Sequence, residues 1–249
     1  MVRFFHFWIL AQMMTASCPG EEKSGHLFIL SGQSNMTGGL RKGFAAVVTE
    51  ELGPDATIVH HSKGGRGIRF WVADYALPAG HPMAALSHNK SNGEEFPKLV
   101  ALVKKNCRPE TFKTDHLIWM QGESDANRDL AAAYGRSFKV LIARLEKALG
   151  IEEMHFVIGR LSDYGLYGDE EQKEAWTRMR QVQESLAHDH PLGSWIDTDP
   201  FIPRAEKERP GNLHYPPAES VKLGERFGKA ALSQIASFSS LPSQPPPSN

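Results

Sequence analysis

The 249-residue sequence has little of several features that would assign it to a special class of protein. Its two cysteines are too few for a disulfide framework. Its charges nearly cancel, with 28 basic and 29 acidic residues, and the basic ones are dispersed, which argues against a nucleic-acid partner. With 41% hydrophobic and 23% charged residues, the composition is that of an ordinary globular protein. The length supports one sizeable α/β domain with a core, or at most two small ones.

The sequence also lacks an apolar run of the ~20 residues that a membrane-spanning helix needs. The longest such run lies at the start of the chain, in MVRFFHFWILAQMMTASC, where Arg3 precedes an apolar stretch from Phe4 to Met14 and small residues follow. That order is typical of a secretory signal, so we predict a signal segment over 1–18 and no integral membrane span. The alternative is a lipoprotein signal with Cys18 as the lipidated residue. Either interpretation predicts a secreted or periplasmic protein.

After residue 25, short apolar runs alternate with longer amphipathic stretches, which favours a doubly wound parallel sheet covered by helices on both faces. The longer stretches predict helices over 94–106, 129–150, 170–189 and 216–236. Residues 63–93 are irregular and rich in glycine and proline, which predicts a functional loop. One domain over 25–238 is expected, followed by a disordered low-complexity tail over 239–249. The predicted strands are 26–32, 56–62, 115–122, 154–162 and 193–199.

Small polar residues and glycines follow the ends of these strands. In a doubly wound sheet, ligands bind beyond the carboxyl ends of the strands, so we expect these residues to line one site. The segments concerned are Ser31–Asn35, Ser62–Arg66, Gln121–Asp125, Ser162–Asp163 and Asp197–Asp199.

Ser34 lies in the first strand-to-helix turn, where free backbone N–H groups can stabilise an oxyanion. A serine in this position becomes a nucleophile if a base can take its proton. The alternative is that Ser34 or Asn35 only caps the helix that follows.

Two further strand ends carry groups suited to the same chemistry. Gly64, Gly65 and Gly67 allow the backbone to approach a ligand and to present an N–H to an oxyanion, although a flexible turn would explain them equally well. In IWMQGESDA, the Gln121 amide can donate to an oxyanion and Glu123 can orient an imidazole. The alternative is that Ser124 or Asp125 caps the next helix.

His214 lies in a loop before the last predicted helix, from which it can reach the carboxyl edge of the sheet. It stands out among the 11 histidines because it follows the nucleophile and the oxyanion donors in one chain order. A metal site built from His60, His61 and a third ligand is disfavoured, because adjacent residues of a strand point to opposite faces.

Together, GQSNM, the GG-x-G-I-x-x-W loop, WMQGESD and a late LHY resemble the SGNH/GDSL hydrolase superfamily. More narrowly, they resemble its sialate O-acetylesterases and acetylxylan-esterase-like carbohydrate esterases, over nearly the whole chain after residue 25. The resemblance implies a three-layer α/β/α sandwich with a parallel, flavodoxin-like sheet. It also implies a serine esterase that removes O-acetyl groups from sialic acid or xylan-type glycans through an acetyl-serine, without a cofactor or a metal.

Carried over to this sequence, the resemblance makes Ser34 the nucleophile and His214 the general base. The oxyanion donors are then the N–H groups of Ser34 and Gly65 and the side chain of Gln121. We predict that the substrate is contacted by Gln33, Asn35, Arg66 and Trp71, with Gln33 and Asn35 shaping the turn rather than reacting.

The sequence departs from the family at the triad acid, because Gly211 stands where an aspartate is usual. We predict that Glu123 supplies the missing carboxylate. Asp197 or Asp199 could instead do so, or the site could be a serine–histidine dyad. The departure also leaves two other functions open, namely a carbohydrate-binding relative without turnover and a general lipase or thioesterase. The sequence leaves the oligomeric state and the identity of the glycan open.

Overall fold

A computed structural model describes residues 23–202 and 212–239. The predicted signal segment with Cys18, the position Gly211 and the predicted tail from residue 240 onward lie outside the described residues. The strands are β1 (His26–Gly32), β2 (Ala56–Ser62), β3 (Thr114–Met120), β4 (Met154–Gly159) and β5 (Gly193–Ile196). The helices are α1 (Gly38–Leu52), α2 (Phe96–Asn106), the short α3 (Glu123–Ala126), α4 (Ala131–Leu149), α5 (Glu170–His188) and α6 (Pro217–Ser239).

The five strands form one parallel sheet in the order β2-β1-β3-β4-β5. This is the flavodoxin-like order, in which the direction of winding switches between β1 and β3. A crevice opens between the loops that leave two such strands, because those loops run to opposite faces of the sheet. The predicted segments Ser31–Asn35 and Gln121–Asp125 follow these two strands and therefore meet at the switch point.

Side chains of successive strand residues fill two separate cores, one on each face of the sheet. Leu27 and Ile29 of β1 pack with residues of α2, α4 and α5. Phe28 and Leu30 pack with residues of α1 and α6. The chain is thus a three-layer α/β/α sandwich, as predicted. In the part of the chain that the structure describes, no helix combines the length and the apolar character that a membrane crossing requires.

Helix α1 was not predicted from the sequence. Its sequence GGLRKGFAAVVTEEL opens with two glycines and contains β-branched residues, which lower helix propensity. Thr37 caps it, with Oγ1 accepting a hydrogen bond from the Leu40 N–H at 3.1 Å. The helix is therefore capped by neither Ser34 nor Asn35.

Helices α1 and α6 approach closely because each places a glycine against the other. A Cβ at Gly43 would lie 1.9 Å from the Val221 carbonyl oxygen, and one at Gly224 would lie 2.0 Å from that of Leu40. Helix α1 follows the Ser34 turn and α6 follows the His214 loop. Their close packing thus brings together two loops that are about 180 residues apart in sequence.

Asp115, at the start of β3, is expected to make stability depend on pH. It is buried, its Oδ1 has no hydrogen-bond partner among residues 23–202 and 212–239, and burial, partly opposed by Lys23, raises its pKa to about 7. Between pH ~4 and ~7 the folded state keeps a proton that the unfolded state releases, so stability falls as pH rises. We expect Asp115→Asn to stabilise the protein by roughly 2 to 4 kcal/mol at pH 8 and by little at pH 4. Thermal unfolding at both pH values checks this, and an equal effect at the two would contradict it.

Candidate active site

Ser34 and His214 are in hydrogen-bond contact at the carboxyl edge of the sheet. The distance from Ser34 Oγ to His214 Nε2 is 3.0 Å. Ser34 is half-buried and His214 is exposed, so the pair is open to a substrate. A hydroxyl at this distance from a neutral imidazole nitrogen can pass its proton to that nitrogen as the oxygen attacks.

The position of Ser34 depends on Gly32 at the end of β1, a glycine that no other residue could replace without strain. Gly32 has φ 145°, and a Cβ there would lie 2.0 Å from the Met120 carbonyl oxygen of β3. The next N–H, that of Gln33, donates to the same carbonyl at 2.9 Å. The chain therefore leaves the sheet edge at a fixed point, and Ser34 is the first residue that is not buried.

The glycine loop after β2 lies beside Ser34. The Lys63 N–H donates to the Gly32 carbonyl at 3.0 Å, and a Cβ at Gly64 would lie 3.7 Å from that of Ser34. Gly65 has φ 70°, in the left-handed region that favours glycine. Among the described residues, no hydrogen bond uses the N–H of Ser34 or of Gly65. Both remain available as oxyanion donors.

Gln121, the third predicted oxyanion donor, is fully buried and its amide is engaged within the protein. Its Nε2 lies 2.5 Å from Asp125 Oδ2 and 3.2 Å from both Gln33 Oε1 and the Arg66 carbonyl. An amide nitrogen has two hydrogens for these three acceptors. Donation to a substrate would therefore require Gln121 to give up a contact with one of them.

Asp125 joins Gln121 to the glycine loop. Its Oδ2 also accepts a hydrogen bond from the Ile68 N–H at 2.9 Å. Gly67 lies directly against the carboxylate, since a Cβ there would be 2.8 Å from Oδ1. Burial raises the pKa of Asp125 to about 6, against the hydrogen bonds from Gln121 and Ile68. Asp125 therefore braces the loop that carries Gly65. It does not cap a helix, and neither does Ser124, since both lie inside α3.

We expect Asp125→Ala to lower both stability and the esterase activity that the sequence resemblance implies. It removes the acceptor of two buried donors, and each unsatisfied donor costs about 1 to 3 kcal/mol. The loop with Gly65 would also lose its brace, so we expect activity to fall by about tenfold or more. Thermal unfolding and acetate release measure the two effects. The exposed control Asp189→Ala should change neither, and an Asp125→Ala enzyme with normal activity and stability would contradict the role.

Glu123 is buried and, within the part of the chain that the structure describes, forms no ion pair with His214. Its Oε1 accepts a hydrogen bond from Asn35 Nδ2 at 2.6 Å, and within the described ranges no hydrogen bond joins it to the imidazole. Burial raises its pKa to about 6, an effect that the Asn35 hydrogen bond opposes. The predicted carboxylate–imidazole contact is therefore not made, because Asn35 takes the carboxylate.

The two alternative acids are held by arginines on α5 and at the end of β4. Asp199 accepts hydrogen bonds from both terminal nitrogens of Arg180, at 2.8 and 2.9 Å. Asp197 Oδ1 lies 2.6 Å from Arg160 Nη2. Partial burial would raise the pKa of Asp199, but the hydrogen bond and charge of Arg180 and the charge of Arg160 hold it below its usual value. A carboxylate bound in this way would have to leave its arginines to orient His214.

The predicted substrate contacts separate into one partly exposed and three buried side chains. Arg66 is one-third exposed, with Nη2 3.1 Å from Glu94 Oε1 and the guanidinium over the Phe70 ring. Trp71 is fully buried, so the prediction that it lines a sugar site is wrong and its indole belongs to the core. Gln33 and Asn35 are each 2% exposed and contact other site residues. Their positions agree with a role in shaping the turn.

His60 and His61 project to different partners, as the alternation along a strand requires. His60 Nε2 lies 3.1 Å from the Met36 carbonyl, and His61 Nε2 lies 2.9 Å from Glu95 Oε2. The described residues contain no group of three or more histidine, cysteine, aspartate or glutamate side chains that could hold a metal ion.

Two contributors to the site were not identified from the sequence. Asp125 was considered only as a helix cap, although its place beside Gln121 in a strand-end motif was a usable signal. The backbone carbonyl of Leu213, which accepts a hydrogen bond from Asn35 Nδ2 at 3.2 Å, gives no signal in the sequence.

A family model described as "Carbohydrate esterase, sialic acid-specific acetylesterase" matches residues 57–233, which is more than half of the chain. The matched range contains Gly65, the segment Gln121–Asp125 and His214, but begins after Ser34. No curated protein matches the sequence.

Similar solved structures include three esterases or lipases. A carbohydrate acetylesterase from Xanthomonas citri superposes with a TM-score of 0.61 at 17% identity, covering 85% of this chain and 57% of that protein. A lipase from a goat rumen metagenome gives 0.51 at 10% identity, covering 85% and 97%. An acetyl xylan esterase gives 0.50 at 13% identity, covering 82% and 98%. The chain thus spans a little over half the length of the Xanthomonas protein, and these similarities establish the fold.

Proposed function

The chain belongs to the carbohydrate esterase family described as sialic acid-specific acetylesterases, and we propose that it is a serine esterase that removes O-acetyl groups from carbohydrates. The observation that carries the proposal is the 3.0 Å contact between Ser34 Oγ and His214 Nε2 at the switch point of the sheet. The family match supports the class of substrate.

In the first half of the reaction, His214 Nε2 takes the hydroxyl proton of Ser34 as Oγ forms a bond to the acetyl carbon. The carbonyl oxygen becomes negative and is stabilised by the N–H groups of Ser34 and Gly65. The bond from the acetyl carbon to the sugar oxygen then breaks, and His214 gives its proton to that oxygen. The products of this step are the free sugar hydroxyl and an acetyl ester on Ser34.

The second half repeats the same steps with water. His214 takes a proton from the water as its oxygen attacks the acetyl-serine, and the proton then returns to Ser34 Oγ as acetate leaves. All the chemistry is acid–base and acyl transfer, so we propose that it needs no metal and no cofactor. Arg66 lies at the rim of the glycine loop, and we propose that its exposed part contacts the sugar.

The experiment that tests this function compares acetate release from O-acetylated sialic acid, from acetylated xylan and from p-nitrophenyl esters of increasing chain length. We expect acetylated sugars and p-nitrophenyl acetate to be cleaved, and long-chain esters to react poorly. A preference for long-chain esters would support a lipase instead. Binding of an acetylated glycan without release of acetate would support a carbohydrate-binding relative without turnover.

We further propose that the protein is exported by the segment 1–18, with Cys18 as a lipid-anchor site if that segment is a lipoprotein signal. The order of charged, apolar and small residues in that segment supports this. Fractionation of expressing cells, with the acetate assay on each fraction, would place the enzyme.

A further inference from the structure

The side-chain amide of Asn35 joins the three segments that build the candidate active site. Its Nδ2 donates to Glu123 Oε1 at 2.6 Å and lies 3.2 Å from the carbonyl oxygen of Leu213. Asn35 follows β1, Glu123 begins α3 after β3, and Leu213 precedes α6. Both hydrogens of one buried amide are thus used to tie a carboxyl group to the loop that carries His214.

We propose that Glu123 is a positioning residue that acts on His214 through Asn35 and the Leu213 carbonyl, and that it does not serve as a triad acid on the imidazole. The proposal rests on the proposed esterase function, because it assigns the means by which the base of that reaction is held in place.

The burial of the two side chains supports an anchoring role. Glu123 and Asn35 are each only 2% exposed, whereas His214 is exposed. Among the described residues, Glu123 Oε2 is buried without a hydrogen-bond partner, and the hydrogen bond from Asn35 to Oε1 is the side-chain contact that stabilises the buried carboxyl group. A buried amide that loses either acceptor pays a desolvation cost, so the orientation of Asn35 is strongly fixed.

The backbone around His214 is fixed on both sides of the imidazole. The preceding carbonyl, that of Leu213, is held by Asn35, and the His214 N–H donates to Asn212 Oδ1 at 3.0 Å. The next residue, Tyr215, is buried in the core between the sheet and α1 and α6. The imidazole can therefore project into solvent while its backbone stays in place.

The position of Asn35 in the sequence gives this anchor its effect on the reaction. Asn35 is bonded covalently to Ser34, so one dipeptide carries both the nucleophile and the group that holds the loop of the base. The Ser34 Oγ–His214 Nε2 distance is then set by the short path from Ser34 through Asn35 and the Leu213 carbonyl to His214. A displacement of about 1 Å in such a contact can cost about 100-fold in rate.

A set of four variants separates this role from that of a triad acid. Glu123→Gln keeps an oxygen that can accept from Asn35 but removes the charge, whereas Glu123→Ala and Asn35→Ala each break the link. We expect Glu123→Gln to keep kcat within about threefold of wild type, with an unchanged pH–rate profile. We expect the two alanine variants to lose about 10- to 100-fold in kcat with little change in KM. The double alanine variant should be no slower than the slower single variant, because both changes break the same link.

A second measurement tests, independently of activity, whether Asn35 and Glu123 hold the His214 loop in place. Hydrogen–deuterium exchange of the peptides that cover residues 212–216 should be faster in Asn35→Ala and Glu123→Ala, and unchanged in Glu123→Gln. The exposed residues Asn106 and Glu51 provide matched controls as Asn106→Ala and Glu51→Gln, which should alter neither exchange nor rate. If the wild type released no acetate, the proposed function would be wrong. The exchange data would still show whether Glu123 and Asn35 hold the His214 loop in place.

Two outcomes would overturn the proposal. One is a fall of about 10³- to 10⁴-fold in Glu123→Gln, the size expected when a triad acid loses its charge, together with a changed pH–rate profile. The other is unchanged exchange at 212–216 in both alanine variants.

Discussion

Replacing Ser34 by alanine is expected to reduce acetate release by at least about 10⁴-fold. Ser34 Oγ is the atom that forms the bond to the acetyl carbon in the proposed reaction, and alanine has no group to take its place. The loss should appear in kcat with every acetyl ester, because each substrate must pass through the same acetyl-serine. The residual rate reflects only what binding and the oxyanion donors contribute without a nucleophile.

The Ser34→Ala protein should remain folded, since Ser34 is half-buried and caps no helix. Thermal unfolding within about 1 °C of wild type would attribute the lost activity to chemistry. Ser185→Ala, an exposed serine on α5, serves as the matched control and should keep full activity. Equal rates in wild type and Ser34→Ala would show that another residue is the nucleophile.

Replacing His214 by asparagine is expected to reduce kcat by about 10³- to 10⁴-fold. Asparagine can still form a hydrogen bond near Ser34, but it cannot accept and return a proton in this reaction. Because nucleophile and base act as one unit, the combined Ser34→Ala and His214→Asn variant should be about as slow as Ser34→Ala alone.

The matched control for this prediction is His188→Asn, an exposed histidine in the last turn of α5. It should leave the rate unchanged. A His214→Asn enzyme within tenfold of wild type would mean that a different group takes the proton of Ser34. A double variant much slower than either single variant would mean that the two residues act independently.

The sheet was predicted well because its strands are buried on both faces. Strand β1 lies at 26–32 and β2 at 56–62, as the apolar runs indicated. The predicted third strand, 115–122, extended too far, since β3 ends at Met120 and Gln121 already belongs to the site. The pattern of apolar residues locates buried strands, but it gives less information about the residue at which a strand ends and a functional loop begins.

Helix α1 shows where local sequence reasoning fails. Its glycines argue against a helix in isolation, yet one of them, Gly43, is needed so that α6 can approach. The stability of α1 comes from tertiary packing with α6, a partner about 180 residues away that local propensity does not register.

The meeting of Ser34 and His214 at one edge of the sheet was predictable because each follows or precedes an element that the sequence defines clearly. The contacts of Glu123 were not predictable, because they depend on the three-dimensional position of Asn35, 88 residues earlier in the chain. The order of residues placed Glu123 at the correct edge of the sheet. Only the three-dimensional structure shows that Asn35 binds its carboxylate and that Trp71 is buried in the core.

The most direct test of the account is to identify the residue that carries the acetyl group during turnover. Rapid acid quenching of the enzyme with p-nitrophenyl acetate, followed by peptide mass spectrometry, would capture the intermediate. We expect one acetyl group on the peptide that contains Ser34, and none in Ser34→Ala. An acetyl group on a different residue, or steady-state hydrolysis by an enzyme that lacks Ser34, would contradict it.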